Sequence, residues 1–403
     1  MTRFGKIFIE NLNLGNCMNS IQICLVMFGG PFDTICHRIE QRIRIFQHIS
    51  TKFYLLIDKM PNTCKNLLSC SIIDLNVNYP NNTIHIISTK NRFFLYMLYL
   101  LSLLKMVKSL FKYKSVDIII FSSGIPFILP LIIQSRILRK KVIVMAGGSI
   151  FYSSLMDIKK NLFYLKILRF FELLCYYSVT TIAVESEKSE RNLNLYKFKN
   201  KVKIFGSFVY IDTDKFSPSI AYENRKFIVG FIGGFFNNKG ILNFVRSIDY
   251  LSSSSNNISY LIIGDGPIKE SVKATINSQN SFNRIHLISW VSHNDIPSFL
   301  NEMRLLVVPS YSEGIPAIIL EAMSCGTPVL STSVGGISDI IKDGKNGFIL
   351  ESNTPECIAK KIEIAMNYYN IQKISKNARD VIKKEYSYKE IIQRYDIIIN
   401  KNG

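Results

Sequence analysis

Short, fully apolar runs recur along the chain, and many stop at a glycine or a small polar residue. They cover residues 21–28, 117–121, 141–145, 181–184, 227–232, 260–263, 284–288, 305–308 and 329–330. Between them lie segments whose apolar positions return every three or four residues, such as 241–251 and 297–303. A run that is apolar at every position suits a strand buried on both faces. Such strands alternating with helices predict an α/β protein with parallel sheets covered by helices on both sides. There are enough strands for two sheets. Residues 207–224, with Asp212, Asp214, Ser217, Pro218 and Ser219, break the pattern before a fresh strand at Phe227. This predicts a first domain over residues 1–206 and a second over 207–385. A last helical stretch, 388–399, follows a polar break, and 386–403 is expected to form a C-terminal helix packing back on the N-terminal domain. Residues 1–20 read as a possible extension.

At 403 residues, two domains are the default. Charge sharpens the division. The chain holds 49 Lys+Arg against 30 Asp+Glu; residues 1–206 hold 28 and 11, so 28 − 11 = +17, and the remainder 21 and 19, so 21 − 19 = +2. The N-terminal half is therefore expected to face something anionic. Its basic-apolar stretch 92–114, with Lys159, Lys160, Lys166 and Arg169, suits an anionic membrane surface. The competing reading is core helices with solvated lysines. Residues 93–104 and 118–133 fall short of the roughly 20 apolar residues of a membrane-spanning helix. The run 21–28 leads into Gly29 and Gly30 rather than a signal-peptide cleavage site. The expected location is cytoplasmic, peripherally on the inner face of the membrane. Nucleic acid is not an expected partner, because the charge comes without a basic recognition helix or a base-stacking motif. The eight cysteines contain no C-x-x-C pair and read as reduced thiols.

The candidate chemistry sits in residues 313–336, EGIPAIILEAMSCGTPVLSTSVGG. Glu313 and Glu321 bracket a small, apolar run just beyond the strand 305–308. Ligands in open α/β sheets bind beyond the carboxyl ends of strands. Pro316 is expected at the first position of a helix running to about Ser324. That places Gly314, Ile315, Pro316 and Ala317 at a helix N-terminus, where free N–H groups and the helix dipole favour an anion such as a diphosphate. Both glutamates can then point toward one ligand. The alternative is that Glu313 merely caps the helix and Glu321 is solvated.

The wider pattern, S-E-G-I-P-x-x-x-L-E-A-M-x-C-G-T-P-V-x-x-x-x-x-G-G, resembles the family 4 glycosyltransferases, retaining enzymes of the GT-B fold. Further landmarks stand in the family's order: Gly233 with Lys239-Gly240, Gly264-Asp265-Gly266-Pro267, Trp290-Val291, Gly335-Gly336, Asp343-Gly344 and Asn346-Gly347-Phe348. The match is dense over residues 227–350. Upstream it rests on Gly29-Gly30, Glu185-Ser186 and residues 212–216. The resemblance implies two Rossmann-like domains whose parallel sheets face a central cleft, the first binding acceptor and the second a nucleotide sugar. By the same resemblance, Glu321 binds the ribose hydroxyls and Glu313 the hydroxyls of the sugar. The amides of Gly314 to Ala317 meet sugar and diphosphate, Lys239 neutralises the diphosphate, and the backbone at Val291 meets the base. The loops at Gly29, Gly30 and Gly233 approach the donor. Lys239 and Glu313 are the candidate catalytic residues. Carboxylates then accept from neutral hydroxyls while cationic and backbone donors hold the phosphates.

The implied reaction moves a sugar to a glycan or lipid-linked acceptor in cell-surface polysaccharide or glycolipid synthesis. No cofactor and no metal are expected. Asp212-Thr213-Asp214 spells a metal-binding D-x-D, but it lies in the linker and matches the family segment V-D-T-x-x-F. Two positions depart from the family. Gly234 stands where an arginine is usual, and Val144 to Ser149 lacks the histidine often found there. These departures keep two alternatives in view: a nucleotide-sugar epimerase of the same fold, and a non-catalytic module that binds sugar nucleotides or lipid.

Overall fold

The computed structural model describes residues 22–27, 41–50 apart from 43 and 47, 52–57, 71–74, 116–122, 128–146, 162–226, 228–251 and 258–400. The strands are β1 (Gln22–Met27), β2 (Lys52–Ile57), β3 (Ser71–Asp74), β4 (Ile118–Phe121), β5 (Lys141–Ala146), β6 (Thr181–Val184), β7 (Val202–Ile204), β8 (Ile228–Ile232), β9 (Ser259–Ile263), β10 (Ile285–Ile288), β11 (Leu305–Val308), β12 (Val329–Thr332) and β13 (Phe348–Leu350). The helices needed to place the site are α1 (Leu129–Ile137), α2 (Leu162–Ser178), α3 (Glu187–Asn192), α4 (Ile241–Tyr250), α5 (Ala317–Ser324) and α6 (Tyr388–Asn400).

Two parallel sheets result, in the orders β3-β2-β1-β4-β5-β6-β7 and β10-β9-β8-β11-β12-β13. In both, the order runs outward from a first strand and then reverses, which is the doubly wound arrangement. Its ligand crevice lies where the order reverses, here between β1 and β4 and between β8 and β11.

Strand burial follows the period of two on both faces. In the first sheet Ile119, Phe121, Val142, Val144 and Ile182 pack with Leu131 and Ile132 of α1 and Cys175 and Tyr176 of α2. The opposite face, with Ile118, Ile120, Ile143, Met145 and Ala183, is covered by Ile391, Tyr395 and Ile399 of α6. The last helix thus belongs to the core of the first sheet. Lys141 Nζ reinforces this by donating to the carbonyls of Ile398 and Ile399 at 3.2 and 3.1 Å. In the second sheet Val229, Phe231, Tyr260, Ile262, Leu305 and Val307 pack with Phe244, Val245 and Ile248 of α4. The other face, with Leu306, Val308, Leu261 and Ile263, receives Ile319, Leu320 and Met323 of α5.

The chain crosses between the sheets twice, and the crossings touch. Ile211 pairs with Ser387 as an isolated parallel bridge, and the Ile211 N–H donates to the Tyr386 carbonyl at 2.8 Å.

Candidate functional site

The loops after β8 and β11 flank the point where the second sheet's order reverses, and they are built to touch. Asn237–Lys239 forms a single 3-10 turn, and Gly240 follows with φ +69. A Cβ at Gly240 would stand 2.0 Å from the Pro309 carbonyl oxygen, so only glycine lets the loops approach this closely. The Tyr311 N–H donates to the Asn238 carbonyl at 2.8 Å. This holds Lys239 over the loop that carries Glu313. Lys239 Nζ donates to Glu313 Oε1 in a short ion pair, and Ser310 Oγ donates to the same oxygen at 3.0 Å. Glu313 is therefore not a helix cap; its carboxylate faces the crevice with a cation against it.

Behind Glu313 runs the loop after β12. Gly335 has φ +55, and a Cβ there would lie 1.9 Å from the Glu313 carbonyl oxygen. The Gly336 N–H donates to the Gly314 carbonyl at 2.9 Å. The helix α5 begins at Ala317, with Pro316 as its N-cap at ψ 122. This corrects the expected placement of Pro316 at the first helical position by one residue; its extended ψ keeps it outside the helix. A second correction concerns the amides. The Ile315 N–H donates to Glu185 Oε2 at 3.0 Å, so one amide of the turn is held by a buried carboxylate at the end of β6. Pro316 has no N–H. Among the described residues, the N–H groups of Gly314 and Ala317 remain without a partner.

Glu321 lies on the first turns of α5 and is 7% exposed, so it is not a solvated position. Its Oε1 stands 2.9 Å from His293 Nε2. His293 lies two residues beyond Val291, in the loop after β10, and Val291 packs on the apolar cluster beneath α5. Gly233 sits at the end of β8, its N–H donating to the Ile263 carbonyl at 3.0 Å. At Gly234 a Cβ would stand 2.7 Å from the Phe236 ring, so the ring occupies the space where the family's arginine would start. Gly29 and Gly30 lie outside the described residues, as do residues 147–149 of the segment 144–149.

The site thus brings together Gly233, Lys239, Glu313 to Ala317, Glu321 and Val291 on one end of the second sheet. The first sheet closes on it through the start of α3: Glu185 reaches Ile315, and Lys188 Nζ donates to the Ser333 carbonyl and approaches Ser338 Oγ at 3.5 Å. Sequence reasoning did not single out His293, Ser310 or Lys188, nor give Glu185 a role. A histidine and a serine just past the carboxyl ends of β10 and β11 were the available signal.

Asp212 Oδ1 accepts from the N–H groups of Asp214 and Lys215 at 3.2 and 3.0 Å, so it shapes its own turn. Among the described residues there is no group of three or more His, Cys, Asp or Glu side chains that could hold a metal ion.

Known proteins share both the segment and the fold. The family model described as glycosyl transferases group 1 matches residues 212–384. The capsular polysaccharide biosynthesis glycosyltransferase CapM of Staphylococcus aureus is 29% identical over 251 residues, 58% of this chain and 65% of that protein. A UDP-Gal:alpha-D-GlcNAc-diphosphoundecaprenol alpha-1,3-galactosyltransferase of Escherichia coli is 26% identical over 213 residues, 47% of this chain and 54% of that protein. The matches span between half and two thirds of these relatives' own length. In solved structures, HepE of Anabaena in complex with UDP and glucose superimposes with a TM-score of 0.73 at 16% identity, covering 94% of this chain and all of that one. Residues 212–384 therefore match the group 1 glycosyl transferases in sequence, and the chain carries them within the two-sheet GT-B fold.

Proposed function

We propose that the chain is a retaining glycosyltransferase that moves a sugar from a nucleotide-sugar donor to a membrane-associated glycan or lipid-linked acceptor, without a metal ion. The observation that carries the reading is the meeting of Lys239, Glu313 and the unpartnered amides of Gly314 and Ala317 in the crevice beside β8 and β11. A cation and backbone N–H groups suit a diphosphate. Carboxylates beside them suit sugar and ribose hydroxyls. Departure of the nucleoside diphosphate takes the electron pair of the anomeric C–O bond onto a phosphate oxygen. Lys239 and the α5 terminus stabilise the charge that grows there. The acceptor hydroxyl enters on the face the diphosphate leaves, and its proton passes to the departing phosphate.

The CapM relative is described as acting in capsular polysaccharide biosynthesis, the Escherichia coli relative as acting on a diphosphoundecaprenol-linked sugar, and HepE is bound to UDP and glucose. A uridine nucleotide sugar is the first donor to try. A lipid-linked acceptor agrees with the surface of the first sheet's helices. Ile133 and Ile137 of α1 and Ile167, Phe170, Phe171 and Tyr177 of α2 are exposed, with Arg136, Arg139 and Lys166 exposed among them. Among the described residues no helix is long and apolar enough to cross a membrane.

The test is a thermal-shift screen of UDP-, GDP- and ADP-sugars on the full chain, because a ligand that binds only the native state raises its melting point. A hit is followed by release of nucleoside diphosphate with and without a lipid-linked acceptor. No shift with any nucleotide sugar would sink the reading. Activity that disappears with EDTA and returns with manganese or magnesium would sink its metal-free part.

A further inference from the structure

We infer that His293 is a positioning residue for Glu321, and that Lys215, in the segment connecting the two sheets, fixes the histidine's tautomer. The inference rests on the reading of Glu321 as the carboxylate that receives the donor's ribose hydroxyls.

Three elements converge on one imidazole. Lys215 Nζ lies 3.2 Å from His293 Nδ1, and it also donates to Asn294 Oδ1 at 2.9 Å. His293 Nε2 lies 2.9 Å from Glu321 Oε1. Phe216 packs beside the imidazole, ring centroids 5.3 Å apart. An ammonium group has donors and no acceptor, so its bond to Nδ1 requires the lone pair there. The ring proton is then on Nε2, where it donates to the Glu321 carboxylate. Cation, imidazole and carboxylate form a directed chain from the linker to the donor site.

This chain fixes which way Glu321 points. The carboxylate is almost wholly buried, on a helix whose other side packs into the core. Holding Oε1 on His293 sets the rotamer before a ligand arrives and leaves Oε2 for the ribose. A carboxylate held in its binding geometry loses less side-chain freedom when it takes up two hydroxyls. The loop that supplies His293 also supplies Val291, so one loop sets both the base contact and the ribose contact. The supporting side chain, Lys215, is in turn anchored in the linker. The Phe216 carbonyl next to it accepts from Ser324 Oγ, at the end of α5, at 2.6 Å. The linker is therefore bound to the end of α5 directly and to Glu321 through His293.

The alternative is that His293 occupies Glu321 only while the site is empty, and that ribose displaces it. The two differ in sign. Calorimetric titration of the full chain with UDP, GDP and ADP, beside their 2′,3′-dideoxy counterparts, separates them. For whichever nucleotide binds, His293→Ala weakens the ribose form about tenfold, the loss of roughly one charge-assisted hydrogen bond. It leaves the dideoxy form unchanged, an outcome that general damage to the fold would not give. His293→Gln keeps an N–H near the Nε2 position and recovers most of the affinity. Lys215→Met keeps the apolar stem beside Phe216 and gives a smaller loss in the same direction. Tighter or unchanged ribose binding in His293→Ala overturns the inference, and unchanged binding in Lys215→Met overturns the linker's part in it. The underlying reading fails separately: it falls if Glu321→Ala leaves ribose binding intact, or if none of the three nucleotides binds.

Discussion

Glu321 places a carboxyl group where it is only 7% exposed, and burying such a group costs free energy unless it is hydrogen-bonded. Replacing it with alanine is expected to weaken binding of the nucleoside diphosphate by about 1.5–3 kcal/mol, the value of a hydrogen bond to a charged group. Calorimetry on a correctly folded variant checks this. Lys239→Ala is expected to lower turnover about 100-fold while moving the melting point little, because leaving-group charge grows toward the transition state. Full turnover in that variant would hand the role to another cation. Both residues were legible because one short segment and one G-x-x-x-x-x-K spacing carry them. His293 and Glu185 were not, since each is brought to the site by a different loop and no local spacing links it to Glu313 or Glu321; Ser310 stands three residues before Glu313 on the same loop, where a serine reads as an ordinary turn residue. Gly234 shows the limit from the other side. The sequence marks the missing arginine, but only the structure puts the Phe236 ring in its place.

Most central strands of both sheets were readable, but β2, between β3 and β1, was not among the runs read, while the edge strand β10 was. The apolar runs that became β4, β6, β8, β9 and β11 are buried at almost every position. Edge strands were harder. β7 reads Val-Lys-Ile with Ile204 47% exposed, and β13 is three residues long, so neither displays the run of a two-sided core strand. β2 has the same apolar signature as its neighbours behind a single leading lysine. Loops were legible mainly through glycines whose backbone has no alternative. Gly335→Ala is expected to destabilise the protein by at least about 1 kcal/mol, the cost of a left-handed backbone for an L side chain. It should also push Glu313 from its place, because the new Cβ would overlap the Glu313 carbonyl. A lowered urea midpoint with weakened donor binding is the expected pair of results. A variant with unchanged donor affinity would show that the loop after β12 does not set Glu313.

At the scale of the whole molecule, charge asymmetry was legible and the surface that displays it was not. The sequence assigns +17 to residues 1–206, while the exposed apolar stripe of α1 and α2 emerges only when the helices are packed on their sheet. The full chain is expected to sediment with anionic vesicles more than with neutral ones, at about 1 kcal/mol per Lys or Arg held near the lipid. High salt should release it incompletely, since salt screens the charges and leaves the apolar contact. Ile137→Asp with Phe170→Asp should remove the salt-resistant part, and equal binding to neutral and anionic vesicles would defeat the electrostatic claim. The position of α6 has a consequence in time. Ile391, Tyr395 and Ile399 finish a core whose other members, from Ile23 to Tyr210, are synthesised far earlier. At the usual pace of about 5–20 residues per second, that half-built face waits on the order of 10–40 s for its last helix. During translation the first sheet is exposed on the side that α6 will cover, so the nascent chain presents a sticky surface to chaperones until α6 itself has been made.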